Sequence, residues 1–256
     1  MASLAAPAAS RAGPRPLQVQ TWIDYEARLQ ARLTDTGGGF FQLGVAEALL
    51  EATNAARRGA GRTTLAWSDE LALAARAHAA DLAARRYVEH VSPEGFDPSH
   101  RVSILSRRIL ASASENIAVR TGGAPPTAAD LLGVWRKSPP HWTGLMKPTH
   151  THAAFGVVQA GLRTIAVGLY ARPDGALERP LPFRLRDEAE LARAIASAPP
   201  ELRDFELTDP QNERRLAGPF TAGVGFELGP AVYQLRPHRR VQGGIQILWG
   251  PIFVRG

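Results

Sequence analysis

Two histidines and a glutamate carry the chemistry most readily read in this chain. His90 lies in Y-V-E-H-V-S-P-E-G, Glu115 in S-E-N-I-A and His141 in W-R-K-S-P-P-H, each about 25 residues from the next. Polar groups that far apart in sequence meet only when a fold gathers them, so the pattern reads as one site of imidazole, carboxylate and imidazole. Two other histidine features carry less. His78 falls on an apolar helical stripe and reads as a buried neutral imidazole bonded to backbone. His150 and His152 in T-H-T-H would share a side of an extended segment, a spacing that can clip a metal, but they read as a solvated loop pair.

The elements that must position these groups belong to a chain of 256 residues, enough for a medium domain and a smaller one. A hydrophobic content of 45% with 21% charged residues leaves ample apolar surface for a core and excludes disorder for most of it. The net charge of +6 favours acidic partners: anionic lipid headgroups, cell-wall polymers or nucleic acid. With no cysteine, disulfides, thiolate metal sites and thiol catalysis are excluded. No stretch approaches the roughly 20 apolar residues of a membrane helix. The opening M-A-S-L-A-A-P-A-A-S resembles the small-residue tail of a secretory signal without its charged start, and export is expected.

Residues 1–16, with Pro14 and Pro16, read as a flexible lead, and residues 22–33 as a short helix ended by T-D-T-G-G-G. Val45, Leu49, Ala52 and Ala56 recur at helical spacing before Gly59 and Gly61. Ser68 is an N-cap with Asp69 and Glu70 in the first turn, followed by a stripe of Leu71, Ala74, Ala75, His78, Ala79 and Leu82; its alanines imply close packing. Thr127 and Asp130 form a capping pair, and Ser138 with Pro139 starts another helix that carries His141 in its first turn. Residues 155–159 and 164–170 are β-branched runs of a hairpin. After Ala171 a linker, a helix over residues 187–198 and a small, mostly β unit over residues 220–254 follow. Its basic turn of Arg236, His238, Arg239 and Arg240 reads as a solvated edge, and no aromatic RNA-binding motif accompanies it, so nucleic acid is not expected.

From Val45 to about Ala171 the motifs run in a set order: L-L-E-A-T-N-A-A-R-R, L-A-L-A-A-R-A-H-A-A-D-L-A, E-H-V-S-P-E-G-F-D-P-S-H-R, S-E-N-I-A, V-W-R-K-S-P-P-H, then F-G-V-V and V-G-L-Y-A. This ordered set resembles the CAP superfamily, also called the SCP or TAPS domain, in its bacterial branch. The resemblance implies an α+β fold, an α-β-α sandwich with a central, mostly antiparallel sheet. It divides the chain into residues 1–44 (lead and short helix), 45–171 (CAP domain) and 172–256 (a β-rich extension of unknown role).

The family's cleft tetrad of two histidines and two acids can hold a divalent metal, often zinc, and maps here onto His90, Glu115 and His141. The second acid falls near Ser138, which cannot serve as a carboxylate; for the second carboxylate that a glycosidase needs, Glu89 and Glu94 near His90 are the close candidates. Two imidazoles and one carboxylate still make a zinc set with an open position for water. Without metal, Glu115 would accept hydrogen bonds and brace the cleft. Arg101 reads as a loop brace acting through a carboxylate, and His100 as a surface residue. Two further departures are Ser114 where the family has glycine, and Pro140-His141-Trp142 where it has Gly-His-Arg.

The family's members differ in activity, so the resemblance implies no single reaction. The leading expectation is a secreted or periplasmic binding protein whose cleft engages lipid or cell-wall polymer. Its rival is an envelope glycan or peptide hydrolase with Glu115 as general acid or base and His90 and His141 as metal ligands or charge stabilisers. A protein partner docking on the C-terminal unit is a third expectation.

Overall fold

The computed structural model describes residues 17–122 and 124–256, so the lead expected over residues 1–16 lies outside it. Its helices are α1 (Val19–Arg32), α2 (Leu43–Gly59), α3 (Asp69–Arg85), α4 (Pro98–Leu105), α5 (Ala128–Arg136), α6 (Pro139–Leu145) and α7 (Glu188–Ala196). In the first part of the chain the strands are β1 (Phe40–Phe41), β2 (Ala66–Trp67), β3 (Ile109–Leu110), β4 (Ala113–Thr121), β5 (His152–Ala160) and β6 (Arg163–Ala171). The remainder supplies β7 (Gly175–Ala176), β8 (Arg184–Leu185), β9 (Asp204–Thr208), β10 (Arg215–Thr221), β11 (Ala231–Val241), β12 (Gly244–Ile247) and β13 (Ile252–Arg255).

Local chemistry starts these helices where the sequence predicts. Ser68 Oγ accepts from Leu71 N, and Asp69 and Glu70 occupy the first turn of α3. Thr127 and Asp130 cap α5 reciprocally. Pro139 opens α6, while the Ser138 N-cap makes no side-chain bond. One helix has no counterpart among the sequence expectations: Asp97 and His100 form a capping box ahead of α4, with Pro98 at the first position.

The hairpin of β5 and β6 is the centre of an antiparallel sheet ordered β1-β5-β6-β4, with β2 added in parallel beside β5. Side chains alternate across it. Ile165, Val167 and Leu169 of β6 join Trp22, Leu29, Leu71, Ala75 and Val102 from α1, α3 and α4 on one face. On the other face, Ala166 and Tyr170 join Leu49, Leu131, Trp135 and Leu145 from α2, α5 and α6. The result is the α-β-α sandwich. Alanines let α3 lie directly on the sheet: a Cβ on Gly156 of β5 would overlap the carbonyl oxygen of Ala75.

The strands after Ala171 build a second sheet, β10-β9-β11-β13-β8, with β12 beside β11. Helix α7 supplies Leu191 and Ile195 to its core with Phe205, Leu207, Leu235 and Phe253. Val232, Ile252 and Val254 belong to the same core as Val102 and Ile104 of α4. Arg107 ties the seam by donating to the carbonyls of Leu181 (2.7 Å) and Ile252 (2.9 Å). The basic turn is therefore not the solvated edge expected. Arg236 is buried, bonds the carbonyl of Leu248 and lies 4.0 Å over the ring of Trp249, and Arg239 pairs with Asp174 at 2.7 Å. Aromatic and carboxylate partners distant in sequence fold these cations inward. Among the described residues no helix is long and apolar enough to cross a membrane.

Candidate functional site

Three elements converge on Glu115, which projects from β4, the edge strand of the central sheet. Helix α3 ends at Arg86, held in the left-handed region at φ 58°, and the chain then runs into the loop that carries His90. A tight turn closes that loop: Gly95, at φ 99°, donates to the carbonyl of Ser92, and Ser92 N to that of Phe96. Phe96 anchors it by stacking on Tyr25 of α1, with ring centroids 4.0 Å apart. The capping box beyond it starts α4 and delivers Arg101 into the protein, fully buried.

Arg101 acts as the expected brace. It donates to the carbonyls of Phe96 (3.0 Å) and His90 (2.9 Å) and to Glu115 Oε2 (2.7 Å). The other carboxylate oxygen, Oε1, bonds His90 Nδ1 at 2.9 Å and has His78 Nε2 at 3.8 Å. The Glu115 side chain is 1% exposed, that of His90 49%. From its other side, the His90 ring faces His141 across the gap between the α3–α4 loop and α6, with centroids 6.4 Å apart. Asn116 Nδ2 fixes α6 by donating to the carbonyl of His141 at 3.0 Å. His90 thus links the two other residues of the set, bonded to one and facing the other.

These contacts set the charges. Burial alone would raise the Glu115 carboxyl, but the charge of Arg101 and the hydrogen bond from His90 hold it below its usual range. The bond to Glu115 outweighs burial at His90 and raises the imidazole above its ordinary value. Burial, then the charge on His90, lowers His141. Two imidazoles of unequal proton affinity therefore face each other. His78 is driven down to about 3 by burial and by Arg101. Its Nε2 meets the carbonyl of Glu89 at 3.1 Å, the neutral structural role expected of it.

The remaining sequence candidates are placed elsewhere. Glu94 is committed to Arg28 (2.5 Å) and Arg85 (2.8 Å), whereas Glu89 is exposed and close enough to His90 for its charge to help raise that imidazole. His100 is not a surface residue: its side chain is 15% exposed, its Nδ1 caps α4, and its Nε2 meets the carbonyl of Pro210. His150 and His152 are not a solvated pair either. His150 is buried, stacks on Tyr170 and shares a hydrogen bond with Ser114, because the turn after α6 folds it under the sheet end. His152 starts β5.

Residues 50–170 match the family model for the cysteine-rich secretory protein family, abbreviated CAP. This segment is a CAP domain. The uncharacterized protein YkwD of Bacillus subtilis (strain 168) is 29% identical over 113 residues, 44% of this chain and 42% of that protein. The chain thus spans less than half the length of this curated relative. Solved structures of similar shape include an outer surface protein from Borrelia burgdorferi (18% identity, 54% of this chain and 99% of that one, TM-score 0.47). Another is an extracellular SCP-domain protein from Bacillus anthracis (23% identity, 50% of this chain and 40% of that one, TM-score 0.42).

In this CAP domain the three residues do not fit zinc as a three-ligand set. Both Glu115 oxygens are already engaged, one by Arg101 and one by His90, and among the described residues no three histidine, aspartate or glutamate side chains are grouped to hold one ion. The carboxylate is placed to orient His90 from behind, where it fixes the tautomer and direction of the imidazole.

Proposed function

We propose that this is a secreted or periplasmic CAP-domain protein whose open face around His90 and His141 binds a cell-wall polymer. The observation that carries the reading is the His90 imidazole, half exposed, held by a buried ionised Glu115 backed by Arg101, and facing His141. A pre-positioned imidazole of raised proton affinity beside one of lowered affinity suits a ligand rich in hydroxyl, amide and carboxylate oxygens. The chain's net charge of +6 favours an acidic polymer. A lipid tail would instead take the apolar groove of about 1010 Å³ between α2 and α3, lined by Leu50, Leu73, Trp67 and Phe155. Glu47, Glu51, Asp69 and Glu70 rim that groove and oppose an anionic headgroup, so the polymer is preferred. A divalent metal would rest on the two imidazoles alone, with Glu115 behind His90.

The test is cosedimentation of the purified chain with intact cell-wall sacculi. Binding that falls at least tenfold in His90→Ala and in His141→Ala, both with wild-type unfolding midpoints, supports the reading; undiminished binding in both variants contradicts it.

One observation favours hydrolysis as a second reading. His90 and His141 differ in proton affinity and sit at a spacing where one can donate and the other accept a proton across a bond. Glu115 would then position His90, because a buried carboxylate saturated by Arg101 and His90 is not free to exchange protons with substrate. Release of soluble fragments from the same sacculi, lost in His141→Ala, is the outcome this reading requires.

A further inference from the structure

Arg57 of α2 is a fully buried cation whose partners among the described residues are all carbonyls. Its Nε donates to Thr63 O (2.8 Å), its Nη1 to Leu145 O (2.6 Å) and Lys147 O (3.1 Å), and its Nη2 to His150 O (3.4 Å). Those bonds engage four of the guanidinium's five N–H donors and brace the turn after α6, yet they leave its charge without a counterion among the described residues. Burial and the nearby Arg62 lower its proton affinity, and among the described residues it has no carboxylate partner.

Beside the same turn opens a cavity of about 480 Å³, lined among others by Ser112, Ser114, Lys147, His150, Arg172 and Arg239. Its only carboxylate among the described residues is Asp174, which is held by Arg239 at 2.7 Å. Gln246 Oε1 also accepts from Arg239, so that guanidinium frames the wall and is not free to bind. Lys147 and Arg172 are exposed and have no ion-pair partner among the described residues. Three cations therefore line the cavity with one acid, and Arg57 lies behind the turn that carries Lys147 and His150. Ser114 Oγ shares a hydrogen bond with His150 Nε2 at 3.1 Å, which adds an oriented hydroxyl to the wall. Burial, then the charges of Lys147 and Arg57, pushes His150 down to about 4, so this imidazole lies within reach of both cations.

We propose that this pocket binds a phosphate-type oxyanion, with Lys147 and Arg172 as its direct charged partners and the Ser112 and Ser114 hydroxyls as neutral ones. The site is separate from the His90–His141 face, since Ser114 alternates with Glu115 along β4 and projects to the opposite side of the strand. It stands whether or not the polymer reading holds. The cavity exceeds a single phosphate, so the same chemistry fits free phosphate or a small phosphate ester.

The test titrates the full chain with inorganic phosphate and, separately, with glycerol 3-phosphate at constant ionic strength, following histidine imidazole resonances. The expected result is saturable one-site binding that moves the His150 signals and raises its proton affinity as the anion offsets Lys147 and Arg57. Lys147→Ala and Arg172→Ala each weaken it about ten- to a hundredfold, the size of a charge-assisted hydrogen bond. Arg163→Ala, at the far end of the same hairpin, leaves it unchanged. The tighter of the two ligands identifies the source as free phosphate or ester. No saturable binding of either, an unmoved His150, or equal weakening by Arg163→Ala overturns the proposal.

Discussion

Replacing Glu115 with glutamine keeps the shape of the side chain and removes its charge, and the consequence falls first on Arg101. That guanidinium is fully buried, and Glu115 Oε2 at 2.7 Å is its counterion; the carbonyls of Phe96 and His90 remain as acceptors but do not neutralise it. Leaving one member of a buried pair costs about 3–5 kcal/mol, and the glutamine carbonyl, still able to accept from Arg101, puts the expected loss near the lower end, about 3 kcal/mol. Against a typical total of about 5–15 kcal/mol this is easily measured by urea unfolding at pH 7. The sign with pH follows from the lowered Glu115 carboxyl. Its stabilisation is complete above the ordinary carboxylate value and is lost as pH falls through the depressed folded value, so wild type and variant converge in acid. Arg101→Met should lose a similar amount by stranding the carboxylate, and the double variant should lose less than the sum. A Glu115→Gln loss under about 1 kcal/mol at pH 7, or strict additivity in the double variant, would refute the buried-pair argument.

Wild type should weaken in acid: His78 and His150, held at about 3 and about 4, stabilise the fold above their ordinary value of about 6.5, and that contribution drains away as pH falls towards the folded values. Unfolding midpoints measured from pH 7 to pH 4 should fall steeply, and His150→Gln should flatten the slope by up to about 1.4 kcal/mol per pH unit. His90 works in the opposite sense, its raised folded value stabilising below about 6.5 and losing that effect as pH rises through it, damped by exposure. Gly156→Ala should cost at least about 1–3 kcal/mol in urea, because its Cβ meets the backbone oxygen of Ala75 and must lift α3 from the sheet. His90→Ala should raise the proton affinity of His141, readable by imidazole NMR, since it removes a neighbouring positive charge.

Local rules make much of the scaffold legible. Ser68, Thr127 with Asp130, and Pro139 mark helix starts through contacts within four residues, and the β-branched runs of β5 and β6 announce their hairpin. Helix α4 escapes because a histidine, His100, closes its capping box in place of the usual acid or amide. The segment around Glu115 reads as a motif, whereas it is a nine-residue edge strand. Histidine and glutamate spacing points to a shared site, but the partners of each carboxylate oxygen depend on where α4 brings Arg101, information that tertiary packing alone supplies. Burial of His150 is hidden for the same reason: its neighbours are polar in sequence, while its stacking partner Tyr170 lies on another strand. Arg236 reads as a surface cation until Trp249 and the carbonyl of Leu248 are placed beside it.

An ionised, buried Glu115 that raises the proton affinity of His90 in front of His141 is the central claim, and imidazole NMR titration of those two histidines tests it most directly. Wild type should show His90 titrating above about 6.5 and His141 below it, with the His90 value dropping in Glu115→Gln. Coincident titration of both rings near 6.5, or a His90 value that ignores the substitution, would contradict it.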